Sequence, residues 1–114
     1  MAALVSVNDF RAWAGASVDN VGDALIAATL DESEAGIQAD LGVTVGTILA
    51  SPEATSLAWG EEVRRTSRLL ARRNSPESIS GFGELAIVIP SRDPDSARTL
   101  TQIRQTLGIG EVVA

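Results

Sequence analysis

The chain contains no cysteine, no histidine, no lysine and no tyrosine, and these absences exclude several classes of function. Without cysteine there is no disulfide framework and no thiolate metal site. Without histidine as well, most routes to metal-dependent or acid–base catalysis are missing, and a nucleophile would have to be a Ser or Thr activated by a carboxylate. No Gly-x-Ser-x-Gly, Ser-x-x-Lys or phosphate-binding loop motif occurs. We therefore expect no enzymatic activity, no cofactor and no bound metal.

Length and charge indicate one soluble domain that spans residues 1–114. The net charge of −6 argues against general nucleic-acid binding, which needs a positive surface. The charge is uneven, because residues 1–60 carry eight acids and one Arg, whereas residues 61–73 carry five Arg and two Glu. The chain lacks a positively charged leader and a long apolar run, so the protein is expected to remain in the cytoplasm in which it is made.

Two helices are predicted in the N-terminal third. Ser6 is suited to cap a short helix that runs to Ala14, and Trp13 is interpreted as its core anchor. A second helix is expected from near residues 19–20 to about residue 40, since apolar residues recur there at helical spacing. These apolar residues are Ile26, Leu30, Ile37 and Leu41, with Ser33 at the missing turn. The acidic residues beside them are interpreted as a solvated face: Asp31, Glu32 and Glu34.

A long amphipathic helix is predicted after an extended connection at residues 42–46. It begins at Ser51-Pro52, which suit a cap and a first helical position, and it ends near Arg73. One side carries Trp59, Val63, Thr66 and Leu70. The opposite side carries Arg64, Arg65, Arg68 and Arg72. A pair with Glu61 would be exposed and weak, so these arginines are expected to form a largely unpaired outer edge.

The arginine edge has three interpretations. A solvated helix face is the simplest one. A DNA-binding helix would contact phosphates, but the chain has no Lys, no helix-turn-helix signature and an acidic overall charge. An interface would bring the arginines to the acidic surface of a second copy, represented by Asp31, Glu32 and Glu34. A head-to-tail contact of that kind closes into a ring.

The last third of the chain combines an arm, a helix and a tail. Asn74-Ser75-Pro76 ends the long helix, and residues 79–90 are predicted to form a β-hairpin-like arm. A lone hairpin is marginally stable, so the arm should lie on the helices or pair with a neighbouring copy. The final helix begins at Asp93-Pro94-Asp95 and ends at Leu107-Gly108. Residues 108–114 are expected to form an extended apolar tail, which is unusual unless something binds it.

The head-to-tail connector proteins of long-tailed bacteriophages, also called adaptor or head-completion proteins, resemble this chain in four segments. These are the Arg-rich helix that ends in Asn74-Ser75-Pro76-Glu77, the segment Gly81-Phe82-Gly83, the apolar run at residues 85–89 and the helix start Asp93-Pro94-Asp95. The resemblance is most specific over residues 64–95 and extends weakly over the whole chain. Family members often carry Gly where this chain has Ser78, and a Tyr-Arg ending in the last helix that is absent here.

The resemblance implies a mainly α fold, a small four-helix bundle with the arm between its last two helices. Such subunits form a ring, usually of twelve copies, that docks onto the portal protein and extends the DNA channel toward the tail. The arm would contact neighbouring copies or the next ring through Ile79, Phe82, Leu85, Ile87 and Ile89. The docking segment would contact the portal through Leu107, Ile109, Val112, Val113 and Ala114.

The implied location is the head-tail neck of the virion, after assembly in the host cytoplasm. The implied partners are further copies of this chain, the portal protein, a stopper or tail-completion protein, and genomic DNA that passes without sequence-specific binding. No membrane is involved. An acidic ring would suit a DNA channel, because a wall that repels phosphates lets DNA slide. Two alternatives stay open: a stopper or tail-completion ring protein of the same neck, and a small DNA-binding regulator.

Overall fold

The computed structural model describes residues 4–74 and 94–109, which form five α-helices and one turn of 3-10 helix. The α-helices are α1 (Val7–Ala14), α2 (Asp23–Leu41), α3 (Val45–Leu49), α4 (Pro52–Asn74) and α5 (Pro94–Leu107). Among the described residues there is no strand, and the mainly helical prediction is confirmed for this part of the chain. The predicted arm at residues 79–90 and residues 110–114 of the predicted tail lie outside the described residues.

Helix α1 begins and ends where its sequence predicts, but its buried anchor is a different residue. The hydroxyl of Ser6 accepts a hydrogen bond from the backbone N–H of Asp9 at 3.1 Å, and Gly15 ends the helix with a φ of 69°. Phe10 is fully buried, whereas Trp13 is 45% exposed and only touches Phe10 with its ring. The prediction of Trp13 as core anchor is wrong, because helical spacing does not specify which aromatic lies at the centre of the covered face.

Helix α2 begins at Asp23, later than the predicted start near residues 19–20. Residues 19–21 form a turn and a bend instead, after the 3-10 helix Gly15–Val18. The guanidinium of Arg11 holds this connection, since it donates to the backbone carbonyls of Val18 and Val21 at 3.0 and 2.6 Å and to Asp23 Oδ1 at 2.6 Å. Arg11 therefore holds the turns ahead of α2 in place, and the first turn of α2 has no side-chain cap.

The apolar side of α2 is buried as predicted. Ile26, Leu30, Ile37 and Leu41 are each at most 1% exposed. The helix ends at Gly42, whose φ of 73° lies in the left-handed region that favours glycine. The predicted extended connection at residues 42–46 is wrong in its second half, where α3 begins at Val45. The side chain of Gln38 accepts the backbone N–H of Val45 at 2.8 Å and so supplies a cap that residues 42–46 do not contain.

Helix α4 is the centre of the fold and packs against the other four α-helices. Its most buried line has a spacing of four residues, and each member is at most 3% exposed: Ala54, Ala58, Glu62, Thr66 and Leu70. The first two side chains are small, which lets neighbouring helices approach closely. Thr66 exchanges a buried hydrogen bond of 2.9 Å with Ser33 of α2. Polar groups are therefore built into the packed face of this helix.

Helix α5 lies antiparallel to α4. The contacts pair Arg68 with Ser96 and Arg64 with Thr99, so numbers fall along one helix as they rise along the other. Leu100 and Ile103 of α5 are buried in the core. The C-terminal end of α4 and the N-terminal end of α5 are therefore neighbours, and residues 75–93 connect them.

Candidate functional site

A buried carboxylate at the middle of α4 joins this helix to α5. Glu61 is fully buried, and its Oε2 accepts a hydrogen bond from Arg65 Nε at 2.6 Å and another from the hydroxyl of Ser96. Its Oε1 accepts a weaker contact from Arg64 Nη2 at 3.3 Å. A pair between Glu61 and these arginines was predicted, but as an exposed contact. Burial makes its loss far more costly than that of a surface pair.

The guanidinium of Arg65 connects Glu61 to α2. Its Nη2 donates to Asp40 Oδ2 at 2.8 Å, and its side chain is only 16% exposed. Burial works against the charged form, but the hydrogen bonds to Glu61 and Asp40 outweigh it and hold the pKa of Arg65 above its ordinary value. Gly36 permits this crossing, since a Cβ at that position would lie 3.0 Å from Arg65 Nη1.

Three further arginine contacts attach α5. Arg64 Nη2 lies 3.3 Å from Thr99 Oγ1, and Arg68 Nη2 lies 3.4 Å from Ser96 Oγ. Arg104 of α5 donates to the backbone carbonyl of Asp40 at 2.6 Å, close to the C-terminal end of α2. Together with Glu61 and Arg65 these contacts tie α2, α4 and α5 together. We call this set of side chains the Glu61 network; its members are Asp40, Glu61, Arg64, Arg65, Arg68, Ser96, Thr99 and Arg104.

The expectation of an unpaired arginine edge is wrong for three of its four members. Arg64 and Arg68 contact residues of α5, because α5 returns along the side of α4 that the helical pattern alone left open. Arg65 contacts Glu61 of α4 and Asp40 of α2. Arg72 is exposed and makes no hydrogen bond or ion pair with the described residues. An inter-subunit role for the four arginines stays a prediction, and Arg72 is the member that the structure leaves most accessible.

The acidic residues of α2 do not form a uniform solvated face. Glu32 is exposed and Asp31 is half-buried, but Glu34 is only 7% exposed. Glu34 Oε1 accepts the backbone N–H of Leu4 at 3.0 Å, so the chain ahead of α1 covers this carboxylate. The prediction of a solvated side chain is wrong for Glu34, since it rested on the pattern of α2 alone. A contact of these acids with a second copy stays a prediction.

Glu62 is a buried acid that the sequence pattern did not single out. It is fully buried, and neither carboxyl oxygen makes a well-aligned hydrogen bond within the described part of the chain. Burial, followed by repulsion from Glu34, raises its pKa to about 8; the backbone N–H of Val5 opposes this shift and Asp31 adds to it. Glu62 lies four residues after Ala58 and four before Thr66, so helical spacing places the three side chains on one side of α4. All three are buried.

An open cavity of about 340 Å³ lies between α2, α4 and α5. Its lining includes Gly36, Asp40, Arg65, Arg68 and Ser96, so it borders the Glu61 network and carries charges of both signs. The described residues contain no cluster of three potential metal-ligating side chains. The contacts beside this cavity hold α2, α4 and α5 together.

The predicted docking and arm residues are only partly covered by the structure. Leu107 packs against the core and is half-buried, as is Ile109 just beyond the end of α5. Val112, Val113 and Ala114 lie outside the described residues, as do the five arm residues Ile79, Phe82, Leu85, Ile87 and Ile89. Gly108 ends α5 with a φ of 73°, so the chain leaves the helix direction where the predicted tail begins.

In the parts of the chain that the structure describes, no helix combines the length and apolarity needed to cross a membrane. Comparison of the chain with protein-family models, with curated proteins and with solved structures found no match.

Proposed function

We propose that this chain is a structural subunit of a bacteriophage head-tail neck, which forms a ring on the portal and extends the DNA channel toward the tail. The observation that carries the proposal is the antiparallel packing of α5 on α4. It brings Asn74 and Pro94 to the same end of the domain, and the connection between them has the segments that resemble the connector family. In this proposal the four-helix bundle of that family corresponds to α1, α2, α4 and α5, with α3 as an addition.

The length of residues 75–93 supports an intermolecular role for this connection. Antiparallel neighbouring helices lie roughly 8–10 Å apart, and connections of about 2–8 residues suffice to join them. The connection contains nineteen residues, among them Ile79, Phe82, Leu85, Ile87 and Ile89. The connection is longer than the join requires, and its apolar residues are stabilised when another surface covers them. We therefore assign these residues to contact with a neighbouring copy.

The Glu61 network gives this connection a fixed base. A buried charge-assisted hydrogen bond between Ser96 and Glu61, and a partly buried one between Thr99 and Arg64, set the register of α5 on α4 more strictly than apolar packing alone. A fixed base lets the same arm reach the same place on each neighbour, which is what a closed ring requires. The tail, residues 108–114, begins at the opposite end of α5 and is assigned to the portal.

The distribution of arginine contacts disfavours the DNA-binding alternative. Arg64, Arg65 and Arg68 are engaged with groups of their own chain, and Arg65 is largely buried. Phosphate contacts need exposed cations, and the net charge of −6 works against them. If the arginine edge contributes to the ring, Arg72 is the residue we expect to meet the acidic surface of the next copy.

Binding to portal rings encoded in the same genome tests the proposal. The purified chain is compared with a version that ends at Gly108, whose α5 is intact because that helix ends at Leu107. Far-UV circular dichroism of both versions checks that the helices remain. We expect the full chain to bind and the shortened chain to lose binding at least tenfold. Failure of the full chain to bind refutes the adaptor role, and binding to an adaptor ring instead would identify a stopper.

A further inference from the structure

The carboxyl group of Glu62 is sealed beneath the short segment that precedes α1. Its side chain is fully buried, and it has no well-aligned hydrogen-bond donor among the described residues. The backbone N–H of Val5 lies next to it. Leu4 and Val5 are themselves 9% and 1% exposed. A charged carboxylate without a well-aligned donor is strongly disfavoured in such a place, whereas a protonated one is tolerated.

The groups that face Glu62 add to this preference. From α2, Glu34 and Asp31 both repel a negative charge on Glu62. From the segment before α1, the backbone N–H of Val5 favours the charged form, but more weakly than burial and Glu34 oppose it. Glu34 also binds the backbone N–H of Leu4 at 3.0 Å. The carboxylate of Glu34 therefore binds the segment before α1, while the carboxyl group of Glu62 lies beneath it.

We infer that Glu62 and Glu34 form a pH-dependent latch for residues 4–6, which is closed while Glu62 holds its proton and opens when that proton passes to water. Opening lets water reach Glu62, and the ionised side chain then keeps the segment from returning. Because Glu62 belongs to α4, the ionisation of its carboxyl group couples the position of residues 4–6 to the central helix of the fold. This inference does not depend on the proposed neck function.

The direction and range of the effect follow from the two states of Glu62. In the closed state its pKa is about 8, above its ordinary value of 4.5, so the closed state keeps a proton that the open state releases. Opening therefore becomes easier as pH rises between these two values, by up to tenfold per pH unit. Above about pH 8 both states are ionised, and the dependence levels off. The latch is tightest in mild acid.

Hydrogen exchange at the backbone amides of Leu4 and Val5, measured by NMR on the full chain, tests the latch. Protection factors are used, because they remove the intrinsic pH dependence of exchange. Between about pH 5.5 and pH 7.5 we expect protection in the natural chain to fall at least tenfold, out of a maximum of about a hundredfold. Glu62→Gln, which keeps the shape of a neutral carboxyl, should show less than about a threefold change over the same range, which is a loss of nearly all of the linkage.

A matched control is Glu53→Gln, which changes an exposed acid on the same helix and should behave as the natural chain does. If Glu62→Gln keeps the full pH dependence, the inference is wrong. If that variant does not fold, the carboxyl carbon of Glu62 is followed by NMR in the natural chain. A midpoint near the ordinary 4.5 overturns the latch, and a midpoint near pH 8 supports it only together with the fall in protection at Leu4 and Val5 of the natural chain.

Discussion

Replacement of Glu61 by Gln should destabilise the fold by about 3 kcal/mol. Glu61 is fully buried and accepts hydrogen bonds from Arg64, Arg65 and Ser96. A hydrogen bond to a charged group contributes roughly 1.5–3 kcal/mol, and loss of one partner of a buried ion pair costs about 3–5 kcal/mol. The estimate lies at the low end, because Arg64 is 40% exposed and Arg65 keeps its bond to Asp40.

Urea denaturation followed by circular dichroism measures this change in the free energy of unfolding. The matched control is Glu53→Gln in the first turn of the same helix. The Glu53 carboxylate is exposed and interacts only with the helix dipole, so this substitution should lower the free energy of unfolding by less than about 1 kcal/mol. A double-mutant cycle with Ser96→Ala should show a coupling of at least about 1 kcal/mol between α4 and α5. A cost for Glu61→Gln no greater than that of the control would refute the network as the attachment of α5.

Four further substitutions test the core and one helix end by the same denaturation assay. Phe10→Ala should cost about 3–4 kcal/mol, whereas Trp13→Ala should cost less than about 1.5 kcal/mol; equal costs would contradict the assignment of the buried anchor. Gly42→Ala should cost about 1 kcal/mol because of the φ of 73°, and a neutral result would count against that helix end. Thr66→Val should cost about 1–2 kcal/mol by leaving the buried hydroxyl of Ser33 without this contact, and a gain in stability would contradict it.

Helix ends that depend on neighbouring residues could be predicted from the sequence. Ser6 caps α1, and Ser51 accepts the backbone N–H of Ala54 at the start of α4, as their positions indicated. Such signals lie within one turn of the residue that they affect. The start of α2 and the existence of α3 depend instead on Arg11 and Gln38, which reach seven to twelve residues along the chain. Sequence patterns within one helical turn do not include residues that lie so far apart, so they could not predict these two contacts.

The candidate site was harder to predict, because its chemistry depends on which helices meet. The spacing of Glu61, Arg64 and Arg65 predicted their pairing but not their burial, since α5 supplies the cover. The sequence pattern does not single out Glu62, although the line of buried residues four apart passes through it. Glu62 has no well-aligned hydrogen-bond partner among the described residues, and burial raises its pKa to about 8.

Electron cryo-microscopy of portal rings from the same genome, incubated with the full chain, tests the central claim most directly. The account predicts a closed ring of copies on the portal, with residues 108–114 against the portal and residues 79–90 against the adjacent copy. It also predicts α4 and α5 packed in each copy as they are here, with Glu61 between them. Portal rings that carry no additional ring, under conditions in which the chain is folded and in excess, would contradict the account.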